Sequence, residues 1–165
     1  LNNPLAESGI AVSTSEDIRW KRRDIKSVNL LAQCLAKQDA HSKGANEGWM
    51  VEDGFVTEGI TSSAYIIKDK KIVTRPLSNL ILPGIRRRTL IEIAEREGIE
   101  LEQRLFTVEE ALQADEAFIS SATTITLPVV SIDGEKIADG TPGEITGRLR
   151  KLYIKRLLEE ASKAE

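Results

Sequence analysis

Two residues of this chain could carry out chemistry together: a lysine, Lys26, and a glutamate, Glu58. Lys26 lies in the segment Arg22–Ser27, and Glu58 lies near the end of the β-rich segment Val51–Gly59. A lysine amine can form an imine with an aldehyde, and a carboxylate can keep a pyridine nitrogen protonated. A pyridoxal phosphate enzyme needs both groups, so the pair makes the chain a candidate for that class.

The amine of Lys26 needs a particular environment to react in this way. A lysine has an ordinary pKa near 10.4, so burial or nearby cations must favour its neutral form. Ile25 and Leu30 predict partial burial, and Arg22 and Arg23 could supply the positive charge. The alternative interpretation is a solvated surface lysine, with Glu58 a solvated glutamate at a strand end.

A phosphate group needs an anion site, and two segments could provide one. Pro83–Arg86 leads into a helix, whose first N–H groups and positive dipole end attract anions. Ser120–Thr124 is a turn rich in hydroxyl groups. When each segment is taken alone, helix capping and turn formation are the favoured explanation.

Composition limits the class of protein. The chain of 165 residues is 41% hydrophobic and 30% charged, as expected for a globular domain. A net charge of −3 argues against a nucleic acid or an anionic membrane as partner. The single cysteine and the lack of any long apolar segment or signal peptide favour a cytoplasmic protein. The lone histidine, His41, argues against a metal site.

The periodicity predicts a mixed α and β (α/β) fold. A strand at Ile10–Thr14 is followed by a helix from Ser27 to Lys43, which puts Lys26 immediately before a helix N-terminus. Short strands separated by turns predict an antiparallel meander from Trp49 to Thr74. Further elements are expected in the second half of the chain: a helix at Arg86–Glu97, a short helix capped by Thr107, strands at Phe118–Ser121, Leu127–Ile132 and Lys136–Ala138, and a helix from Pro142 to about Ala161.

Several motifs, in order and over nearly the whole chain, resemble the D-amino-acid aminotransferase family. They are Arg19–Trp20, Asp24–Ser27, Asn29–Leu31, Ala36–Gln38, Val56–Gly59, Leu82–Ile85, Glu109–Ala111, Pro128–Val129 and Asp133–Gly134. That family belongs to the fold-type IV pyridoxal phosphate enzymes, with branched-chain aminotransferases and aminodeoxychorismate lyases as relatives. The resemblance implies mostly antiparallel sheets forming a pseudo-barrel flanked by helices. It covers only the C-terminal domain, so residues 1–9 are expected to be an interdomain linker and residues 10–165 the cofactor-binding domain, with the N-terminal domain absent from this chain.

The resemblance also implies roles for individual residues. Lys26 matches the catalytic Schiff-base lysine, and Glu58 matches the partner of the pyridine nitrogen. Leu82 matches the residue that packs on the ring. The phosphate side corresponds to Ile85, Arg86, Ser121 and Ala122. The family commonly has threonine where Arg86 and Ala122 stand, which leaves backbone N–H contacts there, and Thr123 is a candidate substitute for the missing hydroxyl.

The function implied is pyridoxal 5'-phosphate-dependent transamination of D-amino acids with a 2-oxo acid acceptor. The resemblance implies a homodimer and a pocket completed by the N-terminal domain. A branched-chain aminotransferase or an aminodeoxychorismate lyase would use the same lysine and glutamate. A third possibility is a fragment or dimerisation module without catalysis.

Overall fold

A computed structural model describes residues 2–163, and Leu1, Ala164 and Glu165 lie outside the described residues. The helices and strands follow one another along the chain as α1 Leu5–Ser8, β1 Ile10–Glu16, α2 Leu31–Ser42, β2 Glu47–Glu52, β3 Phe55–Gly59, β4 Ser63–Lys68, β5 Lys71–Thr74, α3 Ile85–Arg96, β6 Leu101–Gln103, α4 Val108–Leu112, β7 Glu116–Ser121, β8 Ile125–Ile132, β9 Glu135–Lys136 and α5 Glu144–Ser162.

The strands of the described region form one nine-stranded sheet in the order β3-β2-β1-β8-β7-β4-β5-β6, with β9 paired to β8. Strand β1 runs parallel to both β2 and β8, and β5 runs parallel to β6. The other strand pairs are antiparallel. The sheet is curled, and its two ends approach each other. Phe55 of β3, the strand at one end, forms a β-bridge with Thr107, which follows β6, the strand at the other end. The predicted pseudo-barrel is therefore confirmed.

The prediction of a single meander from Trp49 to Thr74 is wrong. The hairpins β2–β3 and β4–β5 form as the turn signals indicate. They lie at separate places in the sheet, however, because β1, β8 and β7 stand between them. Turn residues specify which neighbouring strands form a hairpin, whereas pairing between distant strands depends on packing that local patterns do not encode.

Apolar side chains are buried on both faces of the sheet. In β4 they alternate, with Ala64 and Ile66 in one cluster and Tyr65 and Ile67 in the other. The first cluster includes Trp49 and Phe106, whose rings meet edge to face with their centroids 6.0 Å apart. The second lies under α3 and α5 and includes a stacked Tyr65–Phe118 pair at 4.5 Å.

Three predicted helices form close to their expected bounds, including α4, where the Thr107 side chain accepts a hydrogen bond from the Glu110 N–H. Helix α2 differs, because it begins at Leu31 and not at Ser27. Lys26 consequently lies in an irregular loop several residues before the helix, and the predicted position beside a helix N-terminus is wrong. Helix α1 and strand β6 have no counterpart in the sequence prediction, and both are too short for a clear periodicity.

Candidate active site

Glu58 lies near the end of β3 and is buried, with 6% of its surface exposed. One carboxylate oxygen, Oε1, accepts a hydrogen bond from Arg19 Nη1 at 2.6 Å. The backbone N–H of Leu82 donates to the same carboxylate, at 3.3 Å from Oε1 and 3.2 Å from Oε2. The interpretation of Glu58 as a solvated strand-end residue is therefore wrong.

The backbone after Glu58 turns sharply, and two features hold it. A Cβ on Gly59 would come within 2.1 Å of Ser62 Oγ and 3.2 Å of the Ser62 carbonyl oxygen, so any larger residue would force Ser62 to move. The buried carboxylate of Glu47 accepts from the N–H of Ile60 at 3.1 Å and from Thr61 Oγ1 at 3.0 Å. Glu47 thereby fixes the turn that follows Glu58, a role that no motif of the sequence indicated.

Beside Glu58 lies a buried ionic network centred on Asp17. Asp17 accepts from Arg19 Nε at 2.8 Å and Nη2 at 2.6 Å, and from Thr57 Oγ1 at 2.6 Å. Arg23 Nη1 lies 3.3 Å from the same carboxylate. The side chains of Asp17 and Arg23 are almost fully buried, and that of Arg19 is 6% exposed. Sequence reasoning missed Asp17, and it noted Arg19 only as part of a motif.

Burial and charge act on these carboxyl groups in opposite directions. Burial raises the pKa of Glu58, and the positive charge and hydrogen bond of Arg19 limit that rise. Burial also acts to raise the pKa of Asp17, but the hydrogen bonds from Arg19 and Thr57 outweigh it and leave that pKa below its ordinary value. Asp17 is thus a firmly ionised partner that holds Arg19 next to Glu58.

The loop that leads to Lys26 is attached to the segment that carries Leu82. The Arg23 N–H donates to the carbonyl of Asn79 at 2.8 Å, and Asn79 Nδ2 donates to the carbonyl of Lys21 at 2.8 Å. Lys26 follows Arg23 by three residues, which span at most about 10 Å. The loop is thus tied to Glu58 through Arg19 and to the Leu82 segment through Asn79.

Lys26 itself is exposed in this chain. Ile25 and Leu30 are 44% and 48% exposed, so the predicted partial burial by these residues is wrong. The predicted cationic neighbours are also engaged elsewhere. Arg22 pairs with Asp24 at 2.9 Å, and Arg23 binds the carboxylates of Asp17 and Glu52.

The two segments predicted to bind phosphate lie side by side. Helix α3 begins at Ile85, which is 56% exposed, and the first N–H groups of a helix have no acceptor within it. The Arg86 side chain reaches across to the carbonyl of Ala122 at 3.5 Å and donates to Tyr153 Oη at 3.1 Å. Arg86, Ala122 and Thr123 are among the residues that line a cavity of about 290 Å³.

The hydroxyl groups of the second segment are bonded to each other. Ser121 Oγ lies 2.8 Å from Thr124 Oγ1 and 3.3 Å from Thr123 Oγ1, and it accepts from the Thr124 N–H at 3.2 Å. Arg87, the residue after the first segment, is buried and donates to the carbonyl of Arg75 at 2.8 Å.

The arrangement fits a small aromatic ring that carries a phosphate. The carboxylate of Glu58 accepts two donors, whereas two carboxylate oxygens offer about four acceptor positions, so capacity remains for a protonated ring nitrogen. Leu82, which binds Glu58, precedes Ile85 by three residues, so the carboxylate and the helix N-terminus are joined by a segment of at most about 10 Å. A buried carboxylate that can accept a further hydrogen bond and a helix N-terminus thus lie at the two ends of one short segment.

No helix within residues 2–163 is long and apolar enough to cross a membrane. Within the same residues, His, Cys, Asp and Glu side chains form no group of three or more that could hold a metal ion.

Comparison with known proteins finds D-alanine aminotransferases among the relatives of this chain. The D-alanine aminotransferase of Bacillus licheniformis is 40% identical over 157 residues, which cover 95% of this chain and 56% of that protein. The D-alanine aminotransferase of Staphylococcus haemolyticus is 44% identical over 156 residues, covering 94% and 55%. The chain therefore spans about half the length of the curated relatives that it matches.

Solved structures show the same fold. A T.th. branched-chain amino acid aminotransferase complexed with N-(5'-phosphopyridoxyl)-L-glutamate matches with a TM-score of 0.84 and 29% identity, covering 91% of this chain and 52% of that one. The branched-chain amino acid aminotransferase from Thermobaculum terrenum in its PLP form matches with a TM-score of 0.83 and 28% identity, covering 93% and 53%.

A family model gives the broadest assignment. The model of amino-transferase class IV matches residues 2–132, most of the chain. The motif resemblance noted in the sequence is thereby confirmed, and the chain belongs to the class IV aminotransferase family.

Proposed function

We propose that this chain is the cofactor-binding part of a pyridoxal 5'-phosphate-dependent aminotransferase that transfers the amino group of a D-amino acid to a 2-oxo acid. The observation that carries the proposal is the buried Glu58 carboxylate, supported by Arg19 and joined through Leu82 to the N-terminus of α3. The D-alanine aminotransferases among the relatives support D-amino acids as the donor class.

Lys26 is the proposed catalytic residue. When bound, pyridoxal phosphate supplies the aldehyde that the amine attacks and a ring that accepts electrons from the substrate. Lys26 Nζ would hold the group covalently and, once the amino group of the substrate has displaced it, would take a proton from the α carbon of the amino acid. Lys26 is exposed in this chain, and in the proposed complete protein the N-terminal domain would cover it.

In this proposal, Glu58 and the two predicted anion-binding segments position the pyridoxal phosphate. Glu58 holds a proton on the ring nitrogen, which makes the ring a better electron acceptor, and Leu82 packs against the ring. On the phosphate side, we assign the backbone N–H groups of Ile85 and Arg86 at the start of α3. The neighbouring turn contributes Ser121, Ala122 and Thr123.

The arrangement of the complete protein is part of the same proposal. The family resemblance implies homodimer formation and completion of the pocket by an N-terminal domain, and the single cysteine favours a cytoplasmic location. Exposed apolar side chains along the loop and the start of α2, among them Val28 and Leu31, agree with an additional contact there. The molecular mass of the complete protein in solution tests the dimer.

A specific test of the site is the covalent attachment of the cofactor. The complete protein should be yellow with pyridoxal phosphate, and borohydride treatment followed by peptide mass mapping should place a pyridoxyl group on Lys26. Lys26→Ala should lose both the attachment and turnover, whereas Lys151→Ala, at an exposed position of α5, should retain them. Attachment at another lysine, or none, would refute the assignment, and the absence of any attachment would favour a non-catalytic module.

A branched-chain aminotransferase is the second candidate, because the solved structures similar in fold include that class. Assays with D-alanine, L-leucine and aminodeoxychorismate separate the possibilities. Activity with D-alanine supports the proposal. Activity with L-leucine alone would assign the branched-chain class, and consumption of aminodeoxychorismate alone would assign the lyase.

A further inference from the structure

Arg19 has an unusual position, because its guanidinium lies between two buried carboxylates. One side binds Asp17 through Nε at 2.8 Å and Nη2 at 2.6 Å, and the remaining nitrogen, Nη1, donates to Glu58 Oε1 at 2.6 Å. The planar guanidinium suits a two-point contact with one carboxylate. Its orientation toward Glu58 is therefore fixed by Asp17.

Asp17 is in turn held from other directions. Thr57, the residue before Glu58 in β3, donates its hydroxyl to Asp17 Oδ2 at 2.6 Å, and Arg23 lies 3.3 Å from the same oxygen. The Arg19 N–H also donates to Asp17 Oδ1 at 3.2 Å. The network thus begins and ends on adjacent residues of one strand, which leaves Arg19 little freedom to move.

The contact has an electrostatic consequence for Glu58. A carboxylate in an apolar environment tends to take up a proton, and a neighbouring arginine opposes this because it interacts favourably with the charged form. Arg19 makes that contact directly, and the only other hydrogen bond described for the Glu58 carboxylate within residues 2–163 comes from the Leu82 N–H. A neutral Glu58 could not form an ion pair with a protonated ring nitrogen.

We propose that Arg19, oriented by Asp17, is a positioning residue that keeps Glu58 ionised and directed at the cofactor's ring nitrogen. The inference rests on the proposed function, because it assumes that pyridoxal phosphate occupies the site. Arg19 acts through Glu58 and does not itself contact the reacting atoms.

The test compares two ligands that differ only at the ring nitrogen. One ligand is pyridoxal phosphate, and the other is its carbocyclic analogue, in which a C–H group replaces the ring nitrogen. Each ligand is titrated into the cofactor-free complete protein, and absorbance follows its binding. The ratio of the two dissociation constants measures how much the ring nitrogen contributes to binding. A purely structural residue would weaken both ligands alike and leave the ratio unchanged.

We expect Arg19→Gln to reduce the preference for the nitrogen-containing ligand by about tenfold, the effect of losing one charge-assisted hydrogen bond. Arg19→Lys should give an intermediate reduction, because lysine keeps the charge but lacks the fork that binds Asp17. If the Arg19→Gln variant does not fold, the ratio is measured with Arg19→Lys alone. In a Glu58→Gln background, Arg19→Gln should change the ratio no further.

Arg87→Gln is the matched control. Arg87 is also a buried arginine and donates to the carbonyl of Arg75 and to Gln103, but within the described residues it forms no hydrogen bond or ion pair with Asp17, Arg19 or Glu58. It should therefore lower stability without changing the ratio. An unchanged ratio in both Arg19 variants would overturn the inference. A wild-type protein that binds neither ligand, or binds at a lysine other than Lys26, would instead refute the proposed function.

Discussion

Replacing Asp17 with asparagine should destabilise the protein strongly, because Asp17 is the centre of the buried network. Its side chain is fully buried and faces the guanidinium groups of Arg19 and Arg23. Asp17→Asn removes the negative charge and leaves two buried cations without it. Removal of one partner from a buried ion pair costs about 3–5 kcal/mol, so the free energy of unfolding should fall by about that amount.

Urea unfolding of the complete, cofactor-free protein at pH 7 measures this change. The cofactor must be removed, because a bound ligand adds its own stabilisation. Asp24→Asn is the control, since Asp24 pairs with Arg22 on the surface and such pairs contribute little. If Asp17→Asn lowered the midpoint no more than Asp24→Asn does, the network would not be holding this region together, and the role proposed for Arg19 would lose its basis.

Further predictions concern other parts of the fold. Glu116→Gln should lower stability by about 0.5–2 kcal/mol in thermal unfolding, because the Glu116 carboxylate accepts the first N–H groups of α5. Burial raises the pKa of Tyr65 to about 12, so stability should decline as pH rises from 10 toward 12, and Tyr65→Phe should flatten that decline while costing about 1 kcal/mol at pH 7 through loss of the bond to Ser120. Hydrogen bonds from Arg23 and Lys21 lower the pKa of Glu52 to about 2, so stability present above pH 4.5 should be lost as pH falls toward 2, and acid titration of Glu52→Gln should show less of this loss.

Local patterns predict most of the secondary structure. The apolar spacing of α3 and α5 and the Thr107 cap of α4 are properties of short segments, so they can be identified from the sequence. The predicted start of α2 is too early, because Val28 and Leu31 fit a helical spacing although the segment before Leu31 is irregular. Tertiary contacts of the preceding loop, such as the Arg23–Asn79 bond, override that local preference.

The candidate site is predictable only in part. Motifs identify Lys26 and Glu58, but they do not indicate the surroundings of either residue. Burial of Lys26 is expected from the apolar residues Ile25 and Leu30, which instead face outward. Side-chain type indicates whether burial is favourable, whereas the direction of a residue in an irregular loop is set by the contacts of the whole loop.

Residues close together in the chain are enough to specify the local helices, the hairpins and the motifs that identify the family. The neighbours of Glu58 are different, because Arg19, held by Asp17, and Leu82 reach it from two separate segments that only the folded chain brings together. Their effect on its charge depends on distance and burial. A carboxylate in a strand pattern becomes a candidate cofactor ligand through those surroundings, because electrostatic interactions act through space and not along the chain.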